Sequence, residues 1–246
     1  MPASLVSDIL QRFRTSVARH RSIFVGMCFY WLWTNMTFQM PAVLRPVGAF
    51  GLVLPFQVCI LVGNVVTYLV AVGLFRFWNV EPRGRVALWL MCIAMTAGCT
   101  LVAIWQAGES PAGLAVYGVG SLAAGAGSAL LCVEMQRVYG SFESDVILFH
   151  GAGSYLVSVA VALLVGLLPS VVSLVVWAVS PLPVARCLLV ERRSLTKREL
   201  YGRGDGTELK LPWKLLITSL LHGLSLGLLA GFPVFQEAGP TVVACV

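Results

Sequence analysis

The chain has 246 residues, of which 58% are hydrophobic and 11% charged, with a formal net charge of +6. Soluble domains carry roughly 25% charged residues. This composition therefore excludes an ordinary water-facing surface, makes the bilayer the expected solvent, and turns the positive charge into a question of which membrane face carries it.

Residues 1–21 are predicted to form an amphipathic cytoplasmic N-terminus. Leu5, Ile9, Leu10, Phe13 and Val17 share one face of a helix over 4–21, and the arginines take the other. That is the pattern of a helix lying on the inner leaflet. The basic region ahead of the first apolar run is 21 residues long, and no small-x-small site follows, which argues against a cleaved signal peptide.

A helix needs about 20 apolar residues to cross the hydrocarbon. Six such segments follow, at about 22–40, 52–75, 86–105, 111–133, 146–168 and 170–190, and a seventh at about 214–235. Their interiors lack Lys, Arg, Asp and Glu, apart from Arg186 near the end of the sixth. This is expected where a charge at mid-bilayer costs at least ~2.5 kcal/mol. The link between the fifth and sixth is little more than Pro169-Ser170, which predicts antiparallel neighbours. The expected fold is thus an all-α integral membrane bundle: six transmembrane helices over 22–190, a basic cytoplasmic loop over 191–213, and a seventh helix with a short tail over 214–246.

The basic residues predict the orientation. Sixteen of the seventeen fall before segment one, between two and three, between four and five, or around 186–214; Arg45 alone falls on the other side. The positive-inside rule then puts the N-terminus in the cytoplasm, the C-terminus outside, and the protein in an inner membrane.

Polar residues inside spans are the candidate site. Asn35 and Gln39 share a face of segment one; Gln57, Asn64 and Tyr68 form a stripe on segment two. His150, Ser154 and Ser158 repeat every four residues on segment five, and Thr218, His222 and Ser225 do so on segment seven. Such stripes either line a cavity for a small ligand or bond helix to helix. Glu134 and Arg137, three apart, predict a local ion pair. Segment four reads GVGSLAAGAGSALL, whose small-xxx-small pairs Gly120/Ala124, Ser121/Gly125 and Ala123/Gly127 predict close helix packing. The cysteines form no C-x-x-C pair, so neither a disulfide framework nor a metal site is expected. No catalytic constellation or cofactor fingerprint is present, and the chain is not expected to be an enzyme or to need a cofactor.

Six spans, a charged cytoplasmic interval and a further span opening LPWKLLITSLLHGLSLGLLAG resemble the major facilitator superfamily. That family carries G-x-x-x-D-R-x-G-R-R after its second helix; FWNVEPRGR occupies the matching place, with Glu81, Gly84 and Arg85 on motif positions and Phe77, Pro82 and Val86 departing from it. SALLCVEMQRVYGSF and the later PWKL…HG are similar to the facilitator-like membrane domains that precede the helix-turn-helix of bacterial LuxR-type regulators. LTKREL, Leu195 to Leu200, has the look of the start of such a DNA-binding domain, but Gly202, Gly204 and Gly206 would break its helix. No nucleic-acid binding is expected of this chain. The resemblance implies a sensory or regulatory membrane domain stopping early in its second half, or half of a secondary transporter for a small molecule. Its expected partners are the bilayer, a small ligand, and a second half or another copy of the chain.

Overall fold

The computed structural model describes residues 3–38, 47–49, 52–54, 56–73, 85–105, 111–139, 142 and 144–194. The seventh segment, most of the 191–213 loop, and the candidates Gln39, Glu81, Gly84 and His222 lie outside the described residues.

Helix α1 spans Ala3–Arg19 and α2 spans Arg21–Phe38. They meet at a one-residue corner. The last helical bond runs from His20 N–H to Ser16 O, and the pattern resumes with Phe24 N–H to His20 O. The expected helix is present. Phe13 packs against Phe24 and Phe149, while Ile9 and Leu10 stay exposed.

A short antiparallel hairpin follows, β1 (Val47–Ala49) with β2 (Leu52–Leu54), and α3 begins only at Phe56 and runs to Gly73. The predicted second segment therefore starts four residues late. Pro55 disfavours helical backbone at Leu54, so the apolar residues before it pair as strands. Helix α4 spans Arg85–Trp105, α5 Pro111–Tyr139 and α6 Ser144–Gly166. The sixth predicted segment is two helices in line, α7 (Ser170–Val179) and α8 (Pro181–Ser194). Pro181 has no N–H to continue the ladder, which explains the break at Ser180. Among the described residues four stretches are long and apolar enough to cross a membrane: Arg85–Ile104, Ala112–Tyr139, Val146–Gly166 and Ser170–Arg193; Phe56–Ala71 is a shorter apolar helix.

The side-chain register between helices gives their directions. Phe24, Trp31 and Asn35 on α2 meet His150, Tyr155 and Ser158 on α6 in rising order, so these helices run parallel. Phe56 and Asn64 on α3 likewise meet Tyr117 and Ser128 on α5. Gly26 against Cys187 and Thr37 against Trp177 make α2 antiparallel to α7–α8. Gly98 against Gly120 and Met91 against Gly127 make α4 antiparallel to α5. Phe56 on α3 and Tyr117 on α5 gather with Trp177 on α7 at one end, while Glu134 on α5 meets Arg192 on α8 at the other, so α5 runs with α7–α8 and the described segments α2 to α8 alternate in direction.

Helix α5 packs chiefly on α4 and α3, α2 on α6 and α8, and α4 on α7 and α8. Taking α7–α8 as one segment, this pattern maps onto itself when the first three segments are exchanged with the last three. The parallel pair α2–α6 becomes α5–α3, and the antiparallel pair α2–α8 becomes α5–α4. A polar contact also falls in each exchanged helix pair, though with the residue types reversed: Asn35 of α2 meets Ser158 of α6, and Ser128 of α5 meets Asn64 of α3. The predicted neighbours, segments five and six, touch near their tight joint, but each packs mainly elsewhere.

Small residues make these approaches close. A Cβ on Gly125 would stand 2.5 Å from Ile60 O, and one on Gly127 2.6 Å from Met91 O. The glycine-rich segment is therefore the seam of the bundle, with Gly120, Ala124 and Gly127 toward α4 and Gly125 toward α3.

Candidate functional site

Among the described residues, the candidate polar residues of the spans mostly join helices. Asn35 Nδ2 donates to Ser158 Oγ at 2.9 Å, and Ser128 Oγ to Asn64 Oδ1 at 2.8 Å. Gln57 Nε2 donates to the Thr37 carbonyl at 3.0 Å. That carbonyl lies in the last turn of α2, where no intrahelical N–H remains to reach it. Thr37 Oγ1 in turn accepts Trp177 Nε1 at 2.9 Å, so three segments converge on one residue. Ser154 is buried and donates back to Gly151 O within its own helix. Tyr68 sits partly exposed beside Cys132. Arg85 opens α4, exposed.

A second polar group gathers at the end of the bundle that holds the α1–α2 corner. Glu134, buried on α5, accepts Arg137 Nη1 at 2.8 Å through one carboxylate oxygen, the expected local pair. Its other oxygen accepts Arg192 Nη1 at 3.1 Å from α8. The neighbouring Glu191, also buried, meets Nδ1 of His20 at 2.7 Å. The His20 ring is tilted over Phe142, 4.3 Å between centroids.

His150 lies beside these groups, its ring 6.2 Å from His20, 5.4 Å from Phe24 and 6.2 Å from Tyr139. It is fully buried and lies against the Ser16 backbone, yet neither ring nitrogen reaches hydrogen-bond geometry with a described group. Tyr139 Oη and Ser16 Oγ are buried without a partner in the same way. Buried polar atoms are normally paired. His150, Tyr139 and Ser16 thus bring buried polar atoms without a described partner to this end of the bundle. Among the described residues no group of His, Cys, Asp and Glu is arranged to hold a metal ion.

The cluster ties α1, α2, α5, α6 and α8 together at one end. His20, Glu191 and Arg192 escape a reading of the sequence. His20 hides between Arg19 and Arg21, and its partner is 171 positions away. The one local signal is the acid–base pattern Glu134/Arg137 echoed by Glu191/Arg192 at the ends of two segments. No protein-family model, curated protein or solved structure matches the chain.

Proposed function

We propose that the chain is a multi-pass membrane protein of facilitator-like architecture, whose six-segment unit acts as a sensory or regulatory membrane domain. The observation that carries this is the exchange pattern of the helices. Each three-segment half has an odd number of crossings, so the two halves run in opposite directions. Facilitator halves are built from such three-plus-three inverted repeats. In this reading α2 and α3 cross the membrane as well as the four longer stretches. The end bearing His20, Arg137 and Arg192 faces the cytoplasm, in keeping with the basic residues gathered there.

A regulatory role is favoured over transport because Asn35, Gln57 and Asn64 are spent on helix–helix bonds. A rigid bundle with a charged inner end suits relaying a state to a cytoplasmic output better than carrying a solute. The transporter-half alternative is favoured by one feature, the buried Glu134 carboxylate.

The test is reconstitution in liposomes under an imposed proton gradient, followed with a mixture of labelled amino acids, sugars and organic cations. No gradient-driven uptake is expected. Uptake lost in Glu134→Gln would establish the transporter half and refute the regulatory reading. For topology, a cysteine at Ala112 in a cysteine-free background should react with an impermeant reagent from outside, and one at Arg193 should not. The reverse labelling would overturn the orientation.

A further inference from the structure

A cavity of about 600 Å³ opens between α1 and the start of α6. It is bounded by the polar face of α1, not by its apolar one. Arg12 and Arg19 stand seven residues apart on that face, with Thr15 and Ser16 between them along the helix, and Val146 and Phe149 form the opposite wall. Asp8, one turn before Arg12, is the one carboxylate in the lining, which leaves the cavity a net charge of +1. A guanidinium presents a rigid fork of N–H donors matched to phosphate oxygens. Beyond the apolar wall, the same side of α6 continues with Leu156, Val157 and Leu164, all exposed. One wall is thus cationic and the other runs into a surface made for hydrocarbon.

We propose that this cavity is a headgroup site for an anionic phospholipid. The phosphate sits between Arg12 and Arg19, and an acyl chain descends along α6 from Val146. Free inorganic phosphate offers the same anionic chemistry but makes no use of the apolar wall, so the lipid is the better fit. Basic recesses beside membrane helices on the inner face are suited to anionic headgroups. A lipid held there bridges α1 to α6 and fixes the amphipathic helix to the bundle. The inference rests on the membrane reading above and goes beyond it by naming a ligand.

The experiment is native mass spectrometry of the full chain in a neutral detergent, titrated with phosphatidylglycerol or phosphatidylcholine. One phosphatidylglycerol should bind per chain, well ahead of phosphatidylcholine. Arg12→Gln with Arg19→Gln should weaken it about 30-fold, at about tenfold or less per arginine. Arg14→Gln with Arg21→Gln removes the same charge outside the cavity and should change binding less than about threefold. Asp8→Asn should tighten it, a gain that misfolding would not give. Equal loss in the two arginine pairs, or equal binding of the two lipids, would overturn the proposal. Displacement of the lipid by millimolar inorganic phosphate would also overturn it, in favour of a free-anion site. A chain that binds neither lipid would instead sink the membrane reading itself.

Discussion

Gly98 has the least room for a side chain of the described glycines, and its substitution is the sharpest test of the packing. A Cβ there would stand 2.3 Å from the Gly120 carbonyl oxygen and 2.7 Å from the Ala124 nitrogen. Carbon–oxygen contacts normally begin near ~3.3 Å, so α4 and α5 must part by about 1 Å. Both obstructing atoms are backbone, and no rotamer change can relieve them. A gap of that size forfeits a quarter to a half of each dispersion contact along the seam. Overpacking of this kind costs typically ~1–3 kcal/mol. Alanine returns about 1 kcal/mol of helix propensity. The net loss for Gly98→Ala is then about 1 kcal/mol. Gly118 on α5 supplies the internal standard, because a Cβ there meets nothing within 4 Å. Gly118→Ala should gain up to ~1 kcal/mol from propensity alone. The two substitutions are chemically identical and should differ by about 2 kcal/mol. Unfolding in mixed micelles, followed by circular dichroism against the fraction of denaturing detergent, measures this directly. If Gly98→Ala is as stable as Gly118→Ala, the described α4–α5 interface is wrong.

Double-mutant cycles on Asn35/Ser158 and on Asn64/Ser128, truncating to alanine, should each give a coupling of about 0.6 kcal/mol, typical of polar pairs between membrane helices; a cycle reading zero in either pair would break the exchange relation between the two halves. Replacing Arg137 and Arg192 together with Gln should cost ~3–5 kcal/mol by leaving the buried Glu134 carboxylate without its two guanidiniums, and adding Glu134→Gln should recover most of it; failure of the third change to rescue the melt would remove Glu134 from the centre of the cluster. His150→Phe keeps the ring contacts with Phe24 and Tyr139 and removes two unsatisfied nitrogens, so it should be neutral or stabilise by ~1 kcal/mol or more; a clear loss of stability in the same assay would show that the imidazole is bonded in the native protein.

The helices of the bundle were legible because hydrophobic runs of sufficient length leave few alternatives. The seam was legible for a similar reason, since small residues four apart stand on one helix face. What failed were features set by single residues or by distant ones. Pro55 moved the start of α3, so that Leu52–Leu54, read as the opening of the second segment, pair with Val47–Ala49 instead. Pro181 split the sixth segment without shortening the span. Asn35 and Asn64 could be placed on stripes, but whether a stripe meets a cavity or a serine depends on the partner helix. His20 and Glu191 meet only because α2 and α8 pack side by side, and nothing in the local pattern of either position encodes that.

The one-residue corner at His20 has a mechanical consequence. Helix α1 has 17 residues and is therefore about 26 Å long. It joins α2 through a single residue whose side chain is fastened to Glu191 on α8. Turning that joint by about 10° would swing the far end of α1 by about 4.5 Å, an arc set by the length of the arm. Because Phe13 also rests on Phe24 and Phe149, a turn of this joint must slide those rings before it moves the exposed end of α1 at Ile9 and Leu10.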